Sequence, residues 1–103
     1  AAVEADLVGR SFDRLIHPDQ KIAYEAVTLL ALMIRADETK QIFQTLAAHQ
    51  DENIKFAILR VFELVKDEQA LGKLREFVNK RVVPDKIRER IEEIIQSFEM
   101  IPA

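Results

Sequence analysis

The sequence contains no Cys and no Trp, and it has two Gly and three Pro among 103 residues. The absence of Cys excludes disulfides, thiolate metal sites and cysteine nucleophiles, although it says little about the compartment. The scarcity of Gly and Pro disfavours an all-β fold, which needs many tight turns. Long hydrophobic runs are missing as well: the longest apolar stretch, residues 29–34, has six residues, and a membrane span needs about 20. We therefore expect a cytoplasmic protein without a membrane segment.

What is present suits a folded domain. Hydrophobic residues make up 49% and charged residues 32% of the chain, which is too much apolar material for a disordered segment. The length matches one domain, so we expect a single domain over residues 1–103. The net charge of −3 gives no global electrostatic drive toward nucleic acid.

Apolar residues recur at positions i, i+3, i+4 and i+7 almost throughout, which predicts helices. The pattern breaks five times, and at each break an Asp can cap the next helix or sit in its first turn; these are Asp19, Asp37, Asp51, Asp67 and Asp85. Pro18 and Pro84 stand at or just before helix starts, where a missing N–H costs nothing. The predicted helices span residues 3–16, 19–35, 38–48, 51–66, 68–80 and 85–99.

These six helices form three copies of one pair. Five apolar positions of the second helix align at offsets of 32 and then 33 residues: Ile22, Ala26, Leu29, Leu30 and Met33; Ile54, Ile58, Val61, Phe62 and Val65; Ile87, Ile91, Ile94, Ile95 and Phe98. A single helical hairpin cannot bury its apolar faces alone, whereas stacked hairpins bury a continuous core. The repeat predicts an all-α fold, a short α-α superhelix of three hairpins over about 3–35, 37–66 and 67–99.

The starts of the second helices resemble a known family. Residues 51–55 (Asp-Glu-Asn-Ile-Lys) and 84–88 (Pro-Asp-Lys-Ile-Arg) are similar to the same point in HEAT repeats and in the HEAT-like repeats of phycobilisome lyases. The first copy departs from the motif at Ala23, where a basic residue is usual, and bulky residues 59–62 replace the family's small Ala-Leu-Gly run. The resemblance implies a solenoid whose second helices line a concave side.

A helical wheel of residues 51–66 identifies the surface left over on that concave side. The face opposite the apolar stripe carries Asn53, Phe56, Arg60 and Glu63, and the first copy places Lys21 and Tyr24 at matching positions. Aromatic residues and Arg are enriched at binding hot spots. The candidate partner-binding residues are therefore Tyr24, Phe56, Arg60, Asn53, Glu63 and Lys21. The alternative is that both rings lean into the seam between repeats and belong to the core.

The last repeat has polar residues on both helix flanks. Glu92 stands where the preceding copy has Leu59, and Arg90 where it has Ala57. We interpret residues 85–99 as a C-terminal cap, which needs no further neighbour. The helix predicted over residues 3–16 has a broad apolar stripe instead. Whether it supports a homodimer, or packs against an earlier part of a longer chain, stays open.

Catalytic and cofactor-binding patterns are missing. His17 and His49 lie in turns at the same repeat position, and neither belongs to a His-x-x-x-His or His-Glu pair. Neither Ser lies in a Gly-x-Ser-x-Gly elbow, and the two Gly are isolated, so no phosphate-binding loop is present. We expect no enzymatic activity, no metal and no cofactor.

One local charge bias stands out between Lys73 and Arg90, a segment that contains seven basic residues and three acidic ones. It indicates either an anionic partner or ordinary pairing on exposed helices. The sequence favours a non-catalytic scaffold or adaptor that binds another protein through its concave face. The alternatives are an enzyme accessory, as the resemblance to bilin-lyase-type repeats implies, and weak nucleic-acid binding through residues 73–90.

Overall fold

A computed structural model describes residues 11–80 and 83–99, and this part of the chain contains helices and no strand. Its five bounded helices are α1 Gln20–Arg35, α2 Lys40–Ala48, α3 Glu52–Val65, α4 Glu68–Lys80 and α5 Asp85–Glu99. Each differs from its predicted bounds by at most two residues, so the all-α prediction is confirmed. Of the first predicted helix, residues 3–10 lie outside the described residues, 11–14 are helical, and 15–16 form a turn.

Asp side chains start most of these helices, as predicted. The carboxylates of Asp19 and Asp51 each accept a hydrogen bond of 2.9 Å from the backbone N–H two residues later. Asp67 accepts one of 3.1 Å from the N–H three residues later, and Asp85 is the first residue of α5. These carboxylates satisfy backbone donors that lack a partner within the helix, and they complement the positive end of the helix dipole.

The two His residues extend the caps of α1 and α3 in the same way. Nδ1 of His17 accepts a hydrogen bond of 2.9 Å from the backbone N–H of Asp19, and Nδ1 of His49 accepts one of 3.0 Å from that of Asp51. The shared repeat position of the two His therefore corresponds to a shared turn. At this turn each imidazole ring accepts a hydrogen bond from the backbone.

Asp37 is the exception, and its predicted role at the start of α2 is wrong. Its φ of 61° is left-handed, and its N–H donates back to the carbonyl of Ile34, while Glu38 donates to Met33. This pattern ends α1 in a Schellman turn, in which Asp is one of the few side chains tolerated. The N-cap of α2 is Thr39.

The helices pack in two layers, an inner one of α1, α3 and α5 and an outer one of α2 and α4. Helix α3 contacts both α1 and α5 along its sides, α2 packs against α3, and α4 packs against α5. The aromatic ring of Phe43 on α2 joins the layers, with ring centroids 5.4 Å from Phe62 on α3 and 5.5 Å from Phe77 on α4. The radius of gyration is 13.3 Å, close to the roughly 13 Å of a compact 100-residue domain.

The predicted apolar stripe is largely the core. In α3 it supplies four buried side chains, Ile54, Ile58, Val61 and Phe62. Leu59, expected on a flank, is 0% exposed, and Ile34, which the repeat alignment left out, is 2% exposed. Each of these side chains lies on a flank that a neighbouring helix covers. The buried surface of a helix is therefore wider than its predicted apolar stripe.

None of the helices in the described residues is both long enough and apolar enough to cross a membrane.

Lys66 ends α3 in the left-handed conformation, with φ of 55°. A side chain with a Cβ is strained there, whereas Gly is not. We expect Lys66→Gly to raise the free energy of unfolding by about 0.5–1 kcal/mol, measured by urea denaturation. Lys66→Ala is the matched control, because it removes the charge and keeps the Cβ. Equal stability of the two variants would contradict the assigned backbone strain.

Candidate functional site

An open groove of about 910 Å³ runs between α1 and α3. It starts at the first turns of both helices and extends to the end of α3. Most of its lining side chains are apolar, and the described lining residues are Leu15, Ile16, Gln20, Ala23, Tyr24, Val27, Asn53, Phe56, Ala57, Arg60, Val61 and Leu64. A long, shallow, apolar depression between two helices has the shape of a site for a third helix.

Large apolar side chains stand exposed along this groove. Tyr24 is 71% exposed, Leu64 is 62% and Ile16 is 43%, and all three line it. Among the described residues one more large apolar side chain is exposed to this degree, Leu32 at 58%. Leu32 is not among the lining residues, and its position on α1 is rotated by about 80° from that of Tyr24. The exposed apolar surface is therefore concentrated on the groove.

The repeat explains why the groove is open on this side of α3. Ala57 faces α1, and its short side chain leaves the space above it empty. The matching position in α5 is Arg90, whose guanidinium forms an ion pair with Glu63 of α3 and a second one, at 3.3 Å, with Glu93. The α3–α5 side is thus bridged by an ion pair, while the α1–α3 side presents apolar surface to solvent.

The bridge by Arg90 corrects one prediction. Arg90 was expected on a free flank of a capping helix, but it faces α3 and pairs with Glu63. The reason is that the Ala57 position points toward the preceding helix, not the following one. Glu92, on the opposite flank, is exposed, and no helix of the described residues follows α5.

Four of the six predicted partner-binding residues line the groove together: Tyr24, Phe56, Arg60 and Asn53. Arg60 and Asn53 are exposed. Phe56 is half-buried and packs against the core, so the alternative interpretation, in which the rings belong to the seam, applies in part to Phe56. It does not apply to the strongly exposed Tyr24.

The other two predicted residues lie apart from the groove lining. Lys21 is exposed, and its backbone N–H donates to the cap of α1. Glu63 is not in the lining, and its carboxylate pairs with Arg90 of α5. The helical wheel could not show this separation, because it does not show which neighbouring helix supplies a long charged side chain.

Two of the exposed apolar side chains that line the groove, Leu64 and Ile16, were not predicted from the sequence. On the helical wheel Leu64 lies on the same flank as Ala57, which we expect to pack against a neighbouring repeat, yet Leu64 is exposed. By sequence Ile16 belongs to the apolar stripe of the helix predicted over residues 3–16, but it lies in the turn that follows residues 11–14. The sequence of α3 carries no signal for the exposure of Leu64, because that exposure depends on how much of this flank the neighbouring helix covers.

Three of the six described basic residues between Lys73 and Arg90 form ion pairs. Lys73 bonds to Asp37 in the turn after α1, and Lys80 to Glu76 at 3.1 Å. Arg90 is paired as described above. Arg81 lies outside the described residues. These ion pairs remove much of the free charge that an anionic ligand would need.

No group of three or more His, Cys, Asp or Glu among the described residues is placed to hold a metal ion. Comparison of the chain with known protein families, with characterised proteins and with solved structures finds no match. The groove between α1 and α3 is therefore the basis for the function proposed below.

Leu59 and Leu64 offer a matched test of the two flanks of α3. Leu59 is 0% exposed, and Leu64, which lines the groove, is 62% exposed. We expect Leu59→Ala to lower the free energy of unfolding by about 2–5 kcal/mol and Leu64→Ala to change it by less than about 0.5 kcal/mol. Urea denaturation of both variants measures the difference. Similar losses would mean that Leu64 is a core residue and that the groove is not open.

Proposed function

We propose that this chain is a non-catalytic protein-interaction module that binds a helical segment of another protein in the groove between α1 and α3. The observation that carries the proposal is the convergence of three exposed apolar side chains, Tyr24, Leu64 and Ile16, on one apolar groove. Apolar surface gathered in one place and rimmed by polar residues is typical of interaction sites.

The composition of the groove fits the same role. It combines an exposed Tyr, an Arg and aliphatic side chains, the residue types that supply most of the binding energy at protein interfaces. Complete burial of an exposed large apolar side chain contributes about 1.5–3 kcal/mol, whereas association costs about 4 kcal/mol or more. Three such side chains roughly offset that cost, so the groove floor and the polar rim have to supply the net affinity.

The architecture that we infer is a short solenoid of HEAT-like hairpins. Its support is the packing of α3 against both α1 and α5 and the recurrence of one apolar pattern in these three helices. Stacked hairpins of this kind create grooves between successive inner helices. A scaffold or adaptor role is the one that the groove supports.

The two alternative functions receive less support. Nucleic-acid binding through residues 73–90 would need free basic side chains, but Lys73, Lys80 and Arg90 each pair with a carboxylate. An accessory role in an enzyme rests on the sequence resemblance alone.

A library of 16-residue peptides displayed on phage, selected on the wild-type protein, tests the proposal. We expect the selected peptides to bind the double variant Tyr24→Ser/Leu64→Ser at least about tenfold more weakly, since tenfold corresponds to 1.4 kcal/mol. Both substituted side chains are mainly exposed, so circular dichroism should show a folded variant.

Leu32→Ser is the matched control, because Leu32 is equally apolar and 58% exposed but lies off the groove. It should leave the affinity unchanged. Unaltered binding by the double variant, or an equal loss in Leu32→Ser, would count against the groove as the site.

A further inference from the structure

We propose that the groove selects an amphipathic helix that carries Asp or Glu beside its apolar row, and that Arg60 binds the carboxylate of that residue. This inference rests on the function proposed above and specifies the chemistry of the partner. Its basis is the charge and the pairing of the groove residues.

Arg60 is the one charged residue among the described residues that line the groove. Its side chain is exposed, and no carboxylate of the described residues lies within ion-pair distance of it. The other polar lining residues, Gln20, Asn53 and Tyr24, carry no charge at neutral pH. A groove with an unbalanced positive charge and an apolar floor is complementary to an apolar segment with a negative charge.

The acidic residue closest to Arg60 along α3 is already paired with another cation. Glu63 is three residues further along the helix, which is the spacing at which Arg and Glu can pair on one helix. Arg90 of α5 instead takes the carboxylate of Glu63. The ion pair that closes the α3–α5 side therefore leaves Arg60 available to a ligand on the α1–α3 side.

The neighbours of Arg60 strengthen its effect on a bound ligand. Phe56 and Leu64 are one turn away on either side along α3, and both line the groove. A helix covering these residues would exclude water from the guanidinium, and ion pairs strengthen as water is excluded. The planar guanidinium can also bind a carboxylate through two parallel hydrogen bonds.

No carboxylate lies among the described residues that line the groove. Lys21 is exposed at the start of α1 and lies outside the lining. Glu25 is also exposed, but its position on the wheel is the flank that faces away from α3. The local field therefore favours acidic ligands over basic ones.

The test is a second selection of the same 16-residue phage library, run in parallel on the wild-type protein and on Arg60→Glu. Wild type should enrich peptides with apolar residues at i, i+3 or i+4, and i+7 and with an adjacent Asp or Glu. Arg60→Glu should instead enrich peptides with Lys or Arg at that place. An acidic peptide selected on wild type should bind Arg60→Glu at least about tenfold more weakly, and Arg60→Lys should give a smaller loss.

Lys40→Glu provides the matched control, because Lys40 is an exposed cation at the start of α2 and the change in net charge is the same. It should not alter the selection. Peptides that depend on Tyr24 and Leu64 but show no acidic preference, or the same preference on Arg60→Glu, would overturn this inference and leave the proposed function standing. If no peptide depends on Tyr24 and Leu64, both proposals fail.

Discussion

The packing of α3 between α1 and α5 is the constraint on which the rest of the structure depends. Ile58 and Leu59 on α3 are fully buried, and α3 also receives α2 from the outer layer. Each hairpin alone would leave an apolar face in water, so the chain gains its core by stacking these helices side by side. The stacking gives α3 one flank toward α1 and one toward α5. The groove lies on the flank toward α1, and the side chains of α1 and α3 determine its shape.

The two flanks differ through single substitutions at equivalent repeat positions. Where α3 has the short Ala57, α5 has Arg90, and this long side chain bridges α5 to α3 through Glu63. The α1–α3 side has no such bridge and displays Tyr24 and Leu64. Apolar residues recur at equivalent positions of α1, α3 and α5, whereas the surface positions differ from helix to helix.

The sequence was sufficient for the helices and for most of the core, because both depend on local chemistry. The apolar period and the Asp caps at residues 19, 51, 67 and 85 gave the helices to within two residues. Asp37 was misassigned since the same side chain suits a left-handed helix end as well as an N-cap. Arg90 and Leu64 could not be placed from the sequence, because their environment depends on which neighbouring helix faces each flank, and a helical wheel of one helix does not contain that information.

An NMR titration of the ¹⁵N-labelled protein with a peptide selected on the wild type tests most directly whether a partner helix occupies the groove between α1 and α3. In that case backbone amide shifts change at Tyr24, Ala57 and Arg60 and stay constant in the middle of α4, at Arg75 and Glu76. Shift changes centred on residues 73–90, with the α1–α3 groove unaffected, would contradict it.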